Sequence, residues 1–305
     1  MIELKQEELV KNRGYWATIG AAYRLLAKNI RPLFKKMWPF AFAFAMAVPF
    51  FLCMLLEQAG AAFSTSRLVG LAFSFLLLLA ATIALLGKMS DVLNAKGLKW
   101  NLARWGKMTG IAVAIAAVVG LLISSVSFAI VSSTAQPLEQ GPQNHQLDMI
   151  QQDAFFRVMG IVGIGMLILV IIYLLALPYV YGCMKYAMDD KNRLRHLLFG
   201  NYVAGMRHWP YIFVTMLTTA VIVLLVSAVA TLPLTIVGLA YRMSVVGVSM
   251  GDEAGVPGYF NGMVYGVGIL TFFVMAFVGI FEFMILYYMY GSIEAKEQDR
   301  LAVAV

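Results

Sequence analysis

The sequence is poor in charged residues, cysteine and histidine. Only 13% of its 305 residues are charged and 61% are hydrophobic, whereas a soluble domain carries about 25% charged residues. Cys53 and Cys183 are expected near opposite membrane faces, too far apart for a disulfide. The three histidines lack the spacing of a zinc site, and no Walker A, kinase or Gly-x-Ser-x-Gly motif occurs. We therefore expect no catalytic centre, no cofactor and no metal.

Long apolar runs are what the chain has instead. A helix of roughly 20 residues crosses a hydrocarbon layer of about 30 Å, and six runs reach that length: 37–56, 68–87, 108–132, 155–182, 209–239 and 260–290. We predict an all-α polytopic membrane protein with six transmembrane helices. Its predicted parts are a cytoplasmic or interfacial amphipathic helix at 1–36, a transmembrane domain at 37–290 and a short cytoplasmic tail at 291–305.

The basic residues are distributed unevenly around these runs. Of 23 Lys and Arg, 20 lie before span 1, between spans 2 and 3, between spans 4 and 5 or after span 6, and three lie on the other side. Because basic loops remain in the cytoplasm, we predict cytoplasmic termini and a location in the bacterial inner membrane. The net charge of +7 then indicates contact with anionic lipids of the inner leaflet rather than with nucleic acid.

Two segments that lead into spans have nearly the same order of residues. KMWPF at 36–40 and RHWPY at 207–211 each place a cation two residues before a Trp-Pro pair. Trp38 and Trp209 are expected at the membrane interface, with the proline in the first turn of each span. Spans 2, 4 and 6 each end at a glycine: Gly87, Gly182 and Gly291. We interpret this as three hairpins, each preceded by a basic amphipathic cytoplasmic segment; gene triplication and interface chemistry alone both explain the match.

The segment before span 1 is predicted to be an amphipathic helix. Apolar residues recur at helical spacing: Ile19, Tyr23, Leu26, Ile30, Leu33 and Met37. Four cations recur similarly: Arg24, Lys28, Arg31 and Lys35. A helix with these two stripes lies in the headgroup plane, and Pro32 is expected to start a bend towards span 1. We predict that the four cations, with Trp38 and Trp209, contact lipid headgroups; the alternative is a cytoplasmic helix that touches no lipid.

Three segments resemble those of a known group of bacterial membrane proteins. They are Ala27-Lys28-Asn29 before the first span, the Gly-x-x-x-x-x-x-Asp segment from Gly182 to Asp189, and the ending YYMYGSIEAKEQD at 287–299. They are similar to proteins related to the membrane domain of glycerophosphodiester phosphodiesterases. The phosphodiesterase activity of that group belongs to a separate soluble domain that is not in this sequence. The resemblance therefore implies a membrane role without catalysis.

One acidic residue lies within a predicted span. Glu282 is nine residues before Gly291, about 13 Å into the membrane, where a carboxylate costs roughly 2.5–3.5 kcal/mol. Thr218 and Thr219 lie nine residues into span 5, level with Glu282. We therefore expect Glu282 to point inward and to form a hydrogen bond with Thr218, Thr219 or a neighbouring polar group.

These features favour a non-catalytic accessory or scaffolding role that involves lipid or a protein partner. The glycine pair Gly262 and Gly266 leaves a homodimer open. The alternative is a transporter or permeation protein for a small or lipophilic substrate. In that case Glu282 and helices broken at Pro178 and Pro233 would line a path.

Overall fold

A computed structural model describes residues 7–58, 64–134, 144–198, 200–251 and 257–303. Within these ranges the only regular secondary structure is helix. The helices are α1 (Tyr15–Lys28), α2 (Ile30–Gln58), α3 (Thr65–Asn94), α4 (Leu98–Thr134), α5 (Asn144–Met188), α6 (Leu194–Leu198), α7 (Gly200–Arg207), α8 (Trp209–Ala230), α9 (Leu232–Ser249) and α10 (Phe260–Val303). The ends of the predicted first and last parts, 1–6 and 304–305, lie outside the described residues.

Six helical stretches are long and apolar enough to cross a membrane. They are Ile30–Leu55, Thr65–Asn94, Leu98–Leu122, Gly165–Met188, Trp209–Ala230 and Phe260–Val303. The predicted all-α polytopic fold with six membrane-spanning helices is therefore confirmed.

Two predicted span boundaries differ from the structure. The run 209–239 is two helices, because α8 ends at Ala230 and the chain turns at Thr231. Pro233 then lies in the first turn of α9, where its missing N–H is tolerated. The helix of the last span also extends past the predicted span end at 290 into the predicted tail, because α10 is 44 residues long and ends at Val303.

The junction of α1 and α2 lies at Asn29. Its backbone has φ −122° and ψ 20°, and its side-chain amide donates to the carbonyl of Leu25 at 2.9 Å. The chain therefore bends three residues before Pro32, the residue predicted to start the bend. The first-turn prediction holds for Pro210, which opens α8, and is wrong for Pro39, which lies inside α2. Pro39 has no N–H to donate to the carbonyl four residues earlier.

The membrane-spanning helices form a closed ring. α2 packs against α3, α3 against α4, α4 against α5, α5 against α8, and α8 against α10, which returns to α2. α10 also contacts α1, α5 and α9. The hairpin of α2 and α3 is closely packed, whereas α4 contacts α3 more extensively than it contacts α5. The middle predicted hairpin, α4 and α5, therefore packs more against neighbouring helices than between its own two helices.

Most of the core lies at one end of the ring, the end at which α2, α4 and α8 begin. We call it the entry end. Buried side chains there include Met37 of α2, Met89 of α3, Tyr181 of α5 and Met284 of α10. Towards the other end, apolar side chains such as Leu224 remain exposed. Exposed apolar surface is suited to hydrocarbon, since lipid tails are as apolar as these side chains.

Three entry segments, residues 7–29, 95–107 and 189–208, form the entry end before the spans of α2, α4 and α8, and the second of them includes the first turns of α4. Each crosses a helix at one of the glycines that were predicted to end spans. The pairs are Gly87 with Leu102, Gly182 with Asn201 and Gly291 with Leu9. A Cβ on Gly87 would lie 2.8 Å from the Leu102 side chain, and one on Gly291 would overlap the Leu9 carbonyl oxygen. The helices continue past these glycines, which provide room for the crossing segments.

Candidate functional site at the entry end

The first entry segment places α1 against the bundle through small side chains. Thr18, Ala21 and Ala22 are fully buried, and α1 packs mainly on α10 and α8. The predicted single apolar stripe is wrong, because it divides between two environments. Its buried members are Ile19, Leu33 and Met37, whereas its exposed members are Tyr23 at 63% and Ile30 at 60%. The small residues allow closer packing than the larger ones would, so they form the buried face.

The two outward faces of α1 differ in chemistry. Trp16 and Tyr23 form an exposed apolar face, while Arg24 and Lys28 project from the neighbouring face. Arg24 donates to Glu7 at 2.7 Å, and this hydrogen bond lowers the pKa of Glu7 below its usual range. Because the folded pKa is lowered, the pair stabilises the fold above the ordinary carboxyl pKa. That contribution is lost as the pH falls through the folded value.

All four predicted headgroup cations are exposed. Lys28, Arg31 and Lys35 differ from Arg24 because no carboxylate of the described residues forms an ion pair with them. We call these three the basic row. They lie on the end of α1 and the start of α2, beside the exposed aromatic rings of Tyr23, Phe34 and Trp38.

The two tryptophans of the repeated motif occupy different environments. Trp38 is 47% exposed on α2, close to the basic row. Trp209 is half-buried, and its ring stacks on Phe213 with the centroids 5.1 Å apart. Its indole N–H donates to the carbonyl of Leu174 on α5 at 3.2 Å. Trp209, predicted to contact a headgroup, therefore uses its polar group within the bundle.

Glu282 faces a groove between α2, α3 and α10. The groove has a volume of about 250 Å³ and is lined mainly by apolar side chains such as Phe44 and Leu85. Thr218 and Thr219 lie on α8, and each donates to the carbonyl four residues earlier, at 2.8 and 2.7 Å. Within the described residues neither threonine forms a hydrogen bond with Glu282. The predicted bond is therefore wrong, because both hydroxyls satisfy α8 itself.

Two carboxylates of α10 tie other parts of the entry end together. Glu294 pairs with Lys185 of α5 at 2.6 Å. Glu297 pairs with Arg207 at 3.0 Å and His208 at 2.8 Å, both in the third entry segment. Glu297 is therefore a link between the last helix and the segment that leads into α8.

Arg104, in the second entry segment, binds the end of α5. Its guanidinium donates to the carbonyls of Tyr186, Asp189 and Asp190, the last at 2.9 Å. It also lies 4.3 Å from the ring centroid of Trp100 and 4.5 Å from that of Tyr186. The last carbonyls of a helix lack partners within the helix and carry partial negative charge. Arg104 supplies both the donors and the positive charge.

Ser292 joins the first entry segment to α10. Its hydroxyl accepts from the backbone N–H of Arg13 and donates to the Arg13 carbonyl, both at 3.0 Å. The Arg13 side chain is 93% buried: it donates to the carbonyls of Glu8 and Leu9 and lies 5.1 Å from the ring centroid of Tyr288. The contacts of Arg13 and the crossing of Leu9 over Gly291 therefore join the same two parts of the chain, the first entry segment and α10.

These polar junctions were not predicted from the sequence. A signal existed for Glu294 and Glu297, which are three residues apart and therefore share a helix face. No local signal distinguishes Arg104 from the other cations, because its partners lie 82 to 86 residues later.

No known protein family, no curated protein and no solved structure matches this chain. Among the described residues, no group of three or more His, Cys, Asp or Glu side chains could hold a metal ion. The chemistry available at the entry end is therefore that of exposed cations, aromatic rings and buried polar junctions.

Proposed function

We propose that the protein is a non-catalytic accessory protein of the bacterial inner membrane that binds anionic lipid at its entry end. In this proposal both termini and the entry end face the cytoplasm. The observation that carries the proposal is the basic row of Lys28, Arg31 and Lys35, which is exposed and forms no ion pair with a carboxylate of the described residues.

The surroundings of the basic row favour a membrane surface as its partner. Tyr23, Phe34 and Trp38 are exposed beside the cations. An interface offers phosphates to the cations and hydrocarbon to the rings, which bulk water does not. Each cation near anionic lipid contributes about 1 kcal/mol, so the three together favour anionic over neutral lipid by roughly 100-fold.

The test replaces the three cations together, as Lys28→Gln, Arg31→Gln and Lys35→Gln. The full chain is placed in nanodiscs that contain phosphatidylcholine with a minor share of phosphatidylglycerol, and the lipids that remain bound after extraction are measured by mass spectrometry. The preference for phosphatidylglycerol is expected to fall by roughly 100-fold.

A matched variant removes the same net charge from exposed cations elsewhere: Lys11→Gln, Lys99→Gln and Arg195→Gln. It should keep most of the preference. Equal losses in both variants would show that net charge alone attracts the lipid. An unchanged preference in the basic-row variant would reject the proposed function.

Transport is a second candidate function, favoured by Glu282. Its carboxyl lies at an apolar groove of about 250 Å³, and none of the described residues forms a hydrogen bond with it. An intramembrane carboxyl without a partner is unfavourable unless a function retains it. In this alternative, Glu282 would bind a proton or a cationic group of a lipophilic substrate within the groove.

A further inference from the structure

An open cavity of about 380 Å³, lined by both polar and apolar groups, lies at the entry end on a different part of the ring from the basic row. One wall is the start of α4. The other wall is the end of α5 and the chain that leads to α6. The lining of the cavity includes the aromatic ring of Trp100 and five polar or charged side chains: Arg104, Lys107, Asp190, Asn192 and Arg193.

The lining of this cavity has an excess of positive charge. Lys107 and Arg193 are exposed, and no carboxylate of the described residues forms an ion pair with either. Asp190 is the acidic member, and its Oδ1 atom lies 3.1 Å from the ammonium of Lys96. That pair lowers the pKa of Asp190 and offsets its charge. Arg104 gives three bonds to carbonyls, but a guanidinium has five N–H donors.

Asn192 provides a second, independent observation. It lines the same cavity, is 7% exposed, and its side-chain nitrogen has no hydrogen-bond partner among the described residues. Buried amide donors are nearly always paired in folded proteins. An acceptor bound in the cavity would lie beside this residue and could supply the missing partner.

We propose that this cavity binds a phosphate group, from a free phosphate or from a phospholipid headgroup. Arginine and lysine are the preferred partners of phosphate oxygens, and Arg193 can donate two parallel bonds. The volume is near the lower limit of small-molecule sites, which are typically about 300–1,000 Å³, so a compact headgroup fits and a folded partner does not. The Trp100 ring between Arg104 and Lys96 holds the cationic wall in place.

This inference goes beyond the proposed function, because none of its residues belongs to the basic row. The two can therefore fail separately. The test uses the double variant Lys107→Gln with Arg193→Gln, which leaves Arg104 and its hold on α5 intact. The control is Lys99→Gln with Lys191→Gln, which removes the same charge from exposed neighbours that do not line the cavity.

The first arm titrates the full chain in neutral detergent with inorganic phosphate and follows binding by calorimetry. The second arm measures phosphatidic acid retained by the full chain from phosphatidylcholine nanodiscs. In whichever arm the wild type binds, the double variant is expected to bind at least tenfold more weakly, because two charge-assisted contacts are lost. The control should bind as the wild type does.

If the double variant alone loses binding of inorganic phosphate in the first arm, the ligand is free phosphate. If it alone loses retention of phosphatidic acid in the second arm, the ligand is the lipid headgroup. Either result supports the site. The proposal is overturned if the wild type binds neither probe, or if the control loses as much affinity as the double variant. Loss of lipid preference in the basic-row variant with phosphate binding unchanged would confirm that the sites are separate.

Discussion

Within α10, the carboxylates of Glu294 and Glu297 form ion pairs at the entry end. Glu282 lies deeper along the same helix, at an apolar groove, and no described residue forms a hydrogen bond with it. A carboxyl at an apolar surface loses water without gaining a protein partner. Burial of the Glu282 carboxyl therefore lowers the free energy of unfolding, and this effect can be measured.

Replacing Glu282 by leucine is expected to stabilise the protein. Removal of an unsatisfied polar group from an apolar groove should raise the free energy of unfolding by on the order of 1–3 kcal/mol, measured as a higher Tm in detergent. Thr82→Val, at the same groove, removes a hydroxyl that donates to the Leu78 carbonyl and should be close to neutral. A lower Tm for Glu282→Leu would mean that the carboxyl has a stabilising partner.

The conservative variant Glu282→Gln separates the two candidate functions. Glutamine keeps the shape of the side chain but cannot titrate or carry charge. Under the accessory function, the variant should fold and support growth as the wild type does in a strain whose own copy is deleted. If the Glu282→Gln protein folds but fails to rescue growth of the deletion strain, transport would be favoured instead.

Arg104 shows why two cations of equal charge are not equivalent. Its planar guanidinium reaches three carbonyls at the end of α5, which a lysine ammonium at the same position could not do in the same geometry. Arg104→Lys should therefore loosen residues 186–192. Their hydrogen exchange is expected to be roughly 10–100-fold faster, as for the loss of one or two charge-assisted bonds. Lys99→Arg serves as the control, and equal exchange in both variants would contradict the role of Arg104.

At the scale of helices, the glycines act at crossings rather than at ends. Gly87, Gly182 and Gly291 are buried inside helices that continue for several residues beyond them. Each accepts the entry segment of the following hairpin, and the third accepts that of the first. The repeat seen in the sequence therefore corresponds to a repeated contact around the ring.

A methyl group at one of these crossings should release its entry segment. In Gly291→Ala the new Cβ would overlap the backbone of Leu9, and such overpacking costs typically 1–3 kcal/mol. Trypsin should then cut after Arg13, which is buried in the wild type, and mass spectrometry would detect the peptide that begins at Gly14. Gly279→Ala in the same helix meets no neighbouring atom and should leave Arg13 protected. Protection of Arg13 in both variants would contradict this role for Gly291.

At the scale of the whole molecule, most buried side chains of the described residues lie at the entry end of the ring. Its orientation is tested by two cysteine variants in a background with Cys53 and Cys183 replaced by alanine. Gly14 and Gly258 both have open space around a new side chain. An impermeant thiol reagent should label Gly258→Cys but not Gly14→Cys in spheroplasts, and both after lysis. Labelling of Gly14→Cys alone before lysis would reverse the orientation.

The helices could be predicted from the sequence because hydrophobic length alone determines whether a segment can span a bilayer. The exposure of Arg24, Lys28, Arg31 and Lys35 followed from their spacing on a helix. The break at Thr231 was missed because the apolar run continues through it, and hydropathy does not register a turn. The buried face of α1 was missed because packing selected Thr18, Ala21 and Ala22 over larger side chains. The partners of Arg13 and Arg104 depend on the tertiary fold.

The junction between Arg13 and Ser292 has a consequence for biosynthesis. Its two halves are separated by 279 residues, which a ribosome at about 5–20 residues per second needs roughly 14 to 56 s to translate. Throughout that interval the first entry segment lacks its partner on α10, although its own basic and aromatic side chains have already emerged. The lipid surface available to those side chains would hold the segment until the last helix is inserted. Closure of the ring is then a late, post-translational step of membrane insertion.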